Sequence, residues 1–295
     1  MNPVVRQAAL LVSLFAFCFV LAPSAHGDVD ADRGAVAATL AQQITTANLH
    51  KIYVADFLDS TSTLYGNGER TDKGCYFSSV FSTDLAAQKN GFDVLNRIDT
   101  QKTLTRAQID PSDLSKAETF AKIAKASGAD GILWGTFKQQ ETGPMTLELS
   151  LRAADTGKEL FHAHYQEVST DQFEALFPAS TNDAGNGFYF PGLDGIDEAK
   201  CAQCPQVSLP DAAKAKNVQG KMVLSAVFTK EGTLDETRVV HSLEPGLDQV
   251  VIEAINNWKI TPAQAGAGKN ISLRQCIQLQ FNDSAQSSFA VVPKK

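Results

Sequence analysis

Two histidines, His162 and His164, stand two residues apart, and Cys201 and Cys204 frame a C-x-x-C. Residues two apart on a strand project to one face, so the imidazoles would converge, and two thiolates would complete a tetrahedral zinc set. The same cysteines have a second chemistry. Beyond the apolar N-terminus the chain carries four, Cys75, Cys201, Cys204 and Cys276, which allow three full disulfide pairings. In an oxidising compartment the C-x-x-C reads as a structural staple, or as one end of a tie to Cys276, and the histidines as solvated residues on a polar strand face. The structural reading is taken, zinc is kept as the alternative, and the connectivity stays open. Asp28, Asp30 and Asp32 form an acidic cluster that reads as solvated. No Gly-x-Ser-x-Gly elbow, Gly-Lys phosphate loop or dinucleotide fingerprint is present. No catalytic residue and no cofactor is therefore expected.

The compartment follows from the N-terminus. Arg6 precedes an apolar run over residues 8–21, interrupted at Ser13, and small residues follow at Ala25 and Gly27. That is the three-part pattern of a secretory signal peptide cleaved after Gly27, because the run is shorter than the ~20 residues of a spanning helix. The alternative is an uncleaved anchor, which alone would bring membrane contact. Cys18 lies behind Phe15, Ala16 and Phe17, outside the small-residue setting of a lipid-bearing cysteine.

From Asp28 to Ile196 there are 14 Lys and Arg against 23 Asp and Glu, a net charge of −9; from Asp197 onward there are 11 against 10. An acidic half without a cationic cluster argues against nucleic acid or anionic lipid as ligand.

The elements that must carry these residues read as two units. Val36, Leu40, Ile44 and Leu49 predict an amphipathic helix over residues 32–49, and KIYVADFL over 51–58 a buried strand. Residues 59–74 read as a loop, 75–89 as helical and 91–96 as a short strand. A helix is expected over 112–127, with Ser115 and Glu118 spaced as a capping box and Gly128 as its stop. Residues 131–137 read as a strand, and the alternation of Leu147, Leu149 and Leu151 begins a hairpin that returns over 159–167. This half is α/β with a mixed sheet.

Residues 182–199, rich in glycine and aromatics, read as a linker. In the second half, residues 220–229 and 233–241 form a hairpin turned at Lys230-Glu231-Gly232. Pro245 opens a helix in which Leu247, Val250, Val251, Ala254, Ile255 and Trp258 are expected on one surface. A Gly-rich loop then leads to a long strand over 270–281. The order strand, strand, helix, strand is a small α+β unit with the helix across one sheet face.

Leu209-Pro210, Ala212, Ala213, Gly220, Val223, Gly232, Val239, Val240, Ser242, Leu247-Asp248, Ala254, Trp258, Pro262 and the closing strand through Phe281 resemble, in that order and spacing, the C-terminal domain of the TonB family. The resemblance implies docking by β-strand addition, in which the last strand, here residues 272–282, offers its edge to a segment of another protein. Arg274, Gln275, Gln278 and Gln280 are the residues it places at such an interface. A second copy of the chain, or the tail after residue 283, could instead close that edge. Trp258-Lys259-Ile260 departs from the family's Trp-Arg-aromatic, and no Pro-rich spacer precedes the domain. The first half, with KIYVADF, GFDVLNR, Ala129-Asp130-Gly131 and Asp155-Thr156-Gly157, is similar to the TolB N-terminal and CsgG/FlgO-like envelope domains, which implies a binding module.

The organisation expected is a signal peptide (1–27), an α/β envelope domain (28–181), a linker (182–199), a TonB-type domain (200–283) and a tail (284–295). The function expected is a non-enzymatic periplasmic protein that docks an outer-membrane or periplasmic protein. The alternative is an inner-membrane-anchored, TonB-like energy transducer.

Overall fold

Val36, Leu40 and Ile44 recur at steps of four and are buried along one stripe of helix α1 (Val29–Thr46). The computed structural model to which this helix belongs describes residues 29–60, 69–70, 72–88, 91–111, 114, 116–138, 145–167, 196–197, 199–266, 268–281 and 287–289. The signal segment, most of the expected 59–74 loop and nearly all of the linker lie outside these. Among the described residues no helix is long and apolar enough to cross a membrane.

After α1 the chain forms β1 (Lys51–Val54), β2 (Leu58–Asp59), β3 (Glu69–Arg70), α2 (Asp72–Ala87), β4 (Asp93–Val94), α3 (Arg97–Arg106), α4 (Ala117–Ser127), β5 (Gly131–Lys138), β6 (Met145–Ala153) and β7 (Glu159–Glu167). β5 organises this sheet. On one side it runs parallel to β1 and then to β2, with β4 parallel to β1 beyond; on the other it is antiparallel to β6, which pairs with β7. The expected mixed sheet is present. One face is packed by α1 and α2 through Leu40, Ile44, Phe77 and Phe81, the other through Leu104, Phe120 and Ile123 of α3 and α4.

Phe57 sits in the break between β1 and β2, stacked on Phe81 at 5.5 Å. Two glycines make room for it. A Cβ at Gly135 would lie 2.5 Å from its ring, and one at Gly74 would lie 2.0 Å from its carbonyl oxygen, so α2 approaches the sheet only with glycine in its first turn.

Two differences from the expected elements have physical causes. Helix α3 has no apolar stripe to announce it; Leu104 is buried, and polar contacts tie it down, with Arg97 Nε donating to Asp56 at 2.6 Å and Gln101 to the same carboxylate at 2.9 Å. The helix expected from residue 112 begins at Ala117, after an extended Lys116 that makes no side-chain cap. Ser115 of the expected capping box lies outside the described residues. Gly128 ends the helix in the left-handed region, φ 67°.

The second unit comprises β8 (Ile196–Asp197), β9 (Lys200–Gln203), α5 (Asp211–Ala215), β10 (Gly220–Phe228), β11 (Leu234–His241), α6 (Pro245–Asn256), β12 (Lys259–Thr261), β13 (Ala263–Ala265), β14 (Lys269–Ile271), β15 (Leu273–Phe281) and β16 (Ser287–Phe289). Its main sheet has the order β11-β10-β15-β16. β12 pairs with β9, while β13 pairs with β14 and β8. Short strands thus replace much of the expected Gly-rich loop, and the second core reaches back to Ala199.

Leu247, Val251, Ile255 and Trp258 of the α6 region are buried against the sheet, and Ala254 packs beside them. Val250 departs from the expected surface. It is 38 % exposed, because position 250 sits about 100° from the centre of the stripe of 247, 251 and 255 at about 100° per residue. Trp258 closes the core, its indole N–H donating to the Pro205 carbonyl at 3.0 Å.

Candidate functional site

β15 is the strand on which the sequence placed a docking edge. Along one side it is antiparallel to β10 over its full length, from Leu273 opposite Phe228 to Phe281 opposite Gly220. Along the other, among the described residues, it pairs with β16 at Leu279, Gln280 and Phe281. Among the described residues no strand flanks that side at residues 275–278.

The pleat sends Leu273, Ile277, Leu279 and Phe281 toward α6 and the second core, and Arg274, Cys276, Gln278 and Gln280 to the opposite face. That opposite face is also covered. Cys75, Val223 and Val240 form a buried cluster with Tyr76 and Cys276 against them, and Cys75 is bonded to Cys276. Ser78, Ser79 and Ser82, which follow Cys75 at helical spacing, are buried, and α2 lies against β10, β11 and β15. Their small side chains permit the helix's close approach. Helix α2 is therefore shared between the units: its Phe77, Val80, Phe81 and Leu85 fill the first core, while its Cys75 end is fastened to the second sheet.

The four residues expected at an interface have distinct surroundings. Arg274 is 1 % exposed, pairs with Glu236 and donates to Ser225 Oγ at 3.4 Å. Glu236 reaches it from an irregular stretch of β11: the register slips between Ser225 and Val227, and Glu236 adopts φ 46°. A bulge of this kind re-aims a side chain. The left-handed backbone costs about 1 kcal/mol. Gln278 is buried. The Gln280 amide donates to the carbonyls of Gly220 and Phe281, which pins the end of β15 to β10. Gln275 is half-buried. At the start of β10, burial pulls the Lys221 ammonium below its ordinary pKa.

Sequence reasoning did not anticipate the α2 contact, the Cys75–Cys276 pairing or the Glu236 partner. A signal for the first was present. Residues 222–228 of β10 read MVLSAVF and are all buried; an almost unbroken apolar run marks a strand covered on both faces, whereas alternation marks one covered on one.

The second disulfide joins Cys201 to Cys204, three residues apart. Cys276 is thus tied to the first unit rather than to the C-x-x-C. His162 and His164 lie on β7, their ring centroids 5.2 Å apart, with Nδ1 atoms 3.7 Å from Glu159 and Glu148 respectively. The histidines and the C-x-x-C belong to different sheets, and the cysteine sulfurs are bonded to each other, so the four-ligand zinc set considered from the sequence is not assembled. Among the described residues no group of three or more His, Cys, Asp or Glu could hold a metal ion.

Residues 205–282 match the family described as the Gram-negative bacterial TonB protein C-terminal. The second unit is a TonB-type C-terminal domain. No curated protein matches the chain. Solved structures similar to parts of it include the LpoB C-terminal domain from Salmonella enterica, at 14 % identity, covering 48 % of this chain and 98 % of that one, with a TM-score of 0.36. Lipoprotein GNA1162 from Neisseria meningitidis is 16 % identical over 45 % of this chain and 85 % of its own, with a TM-score of 0.31. TolB from Acinetobacter baumannii is 8 % identical over 81 % of this chain and 46 % of its own, with a TM-score of 0.25.

Proposed function

We propose that this is an exported, non-enzymatic protein of the cell envelope whose TonB-type domain captures an outer-membrane or periplasmic protein by adding one of that protein's strands to the outer side of β15. The observation that carries this reading is the asymmetry of β15: a partner strand along its whole length on one side and, among the described residues, a three-residue strand at one end of the other. Unpaired main-chain groups on a strand edge are a template for another chain, and main-chain bonds give affinity without demanding a particular sequence. The TonB-type match over residues 205–282 supports the same mode.

In this account the docking segment is residues 275–278. Gln275 offers its half-buried side chain together with its main chain, and Gln278 acts through its main chain. Arg274 and Gln280 hold the strand flat through their bonds to Glu236, Ser225 and Gly220. Two disulfides suit an oxidising compartment. The acidic α/β unit serves as a second binding module, clamped to the first by α2.

A photo-crosslinking amino acid placed at position 275 tests the reading in cells. Irradiation should give an adduct with a discrete envelope protein, and the same amino acid at exposed Lys125 of α4, far along the other unit, should not. Equal adducts from both positions would show that β15 is not the docking element.

A further inference from the structure

β16 occupies the very edge that the proposed partner would use, and we infer that it is an autoinhibitory stand-in: the chain's own tail holds the end of the edge until an incoming strand displaces it. The inference rests on the docking reading above and adds its regulation and the orientation of the partner strand.

Three features of the strand pairing carry it. β16 is antiparallel to β15, with Phe289 opposite Leu279, Ser288 opposite Gln280 and Ser287 opposite Phe281; a strand that replaces it in this register also runs antiparallel. Among the described residues it pairs over three positions, and a strand that also pairs at residues 275–278 makes more main-chain bonds. Finally, it is joined to β15 by a connection of five residues, 282–286, so its local concentration at the edge is high, on the order of millimolar for a short tether. A weak contact made persistent by a tether is the arrangement that a longer competing strand can exchange with.

The probe is a fluorescein-labelled synthetic peptide of residues 284–293, SAQSSFAVVP, titrated by anisotropy against the mature chain and against the same chain ending at Asn282. The truncated chain should bind roughly tenfold more tightly, the factor expected for an edge that the tail holds about nine-tenths of the time. A full-length chain carrying Ser288→Pro and Phe289→Pro should bind like the truncated one. Neighbouring N–H groups on a strand point to opposite sides, so one of these two prolines removes a ladder donor whichever side faces β15. Equal affinity for the intact and truncated chains, or no binding to either altered chain, would overturn the inference.

Crosslinking from position 275 in cells separates this failure from that of the docking reading. A higher adduct yield on tail removal supports the inference. Equal yield in both backgrounds leaves docking standing and removes the autoinhibition. No adduct in either background sinks the docking reading and the tail's role with it.

Discussion

Replacing Cys75 and Cys276 together with serine should split the unfolding of this protein into two transitions and lower the midpoint of the second unit. The bond closes a loop across a sequence separation of 201. On the chain-entropy account, a loop of that length restricts the unfolded ensemble by about 5 kcal/mol, at the top of the range found for natural disulfides. The loss has a second part, because the bond fastens α2 to the middle of β15, and the cluster of Val223, Val240 and Tyr76 around it is small. Without the bond, the packing at that interface carries more of the coupling between the two sheets. Calorimetry of the oxidised protein and the double serine variant is the measurement. One cooperative transition at an unchanged midpoint in the variant would mean that the packing of α2, rather than the bond, couples the units. Serines at Cys201 and Cys204 should matter much less, since a loop of three residues restricts the unfolded chain little.

Trp258→Ala should destabilise the TonB-type unit by about 3–5 kcal/mol, the usual cost of removing a large buried aromatic. Trp258 is 1 % exposed and lies where α6, the sheet and the segment from Pro205 meet. Its loss leaves a cavity and removes the indole donor from the Pro205 carbonyl, for which Phe cannot compensate. Trp258→Phe should therefore recover most of the packing but not all of the stability. Denaturant unfolding followed by circular dichroism reads both variants. A loss of less than about 1 kcal/mol for the alanine variant would place the centre of this core elsewhere.

How legible this fold was depended on whether a residue's neighbours were local. The helices with apolar stripes, the β6–β7 hairpin and the strand, strand, helix, strand order of the second half follow from periods of 3.6 and 2, because each buries one face against a single layer. Helix α3 escaped because what holds it is Arg97 against Asp56, a contact across 41 residues with no periodic trace. Val250 was misplaced because a run of apolar residues at steps of three and four is wider than the stripe one sheet can cover.

The candidate edge was legible through β15 itself and the family signature around it. What surrounds it was not. The pairing of Cys75 with Cys276 and of Arg274 with Glu236 depends on α2 docking across the second sheet and on an irregular β11, and neither leaves a local pattern. The nearly unbroken buried run in β10 was a trace of that docking: Met222, Leu224 and Ala226 face one core, while Val223 faces the other.

The central claim is that the partner adds a strand to β15. Amide hydrogen exchange of the complex trapped by the crosslinker at position 275, compared with the free protein, tests it most directly. The account predicts new protection at residues 275–278, with faster exchange at residues 287–289 as the tail leaves, and little change in α3 and α4. Protection that appeared instead around exposed Val250 on α6, with residues 275–278 unchanged, would show that the partner sits on the helix face and that β15 does not receive a strand.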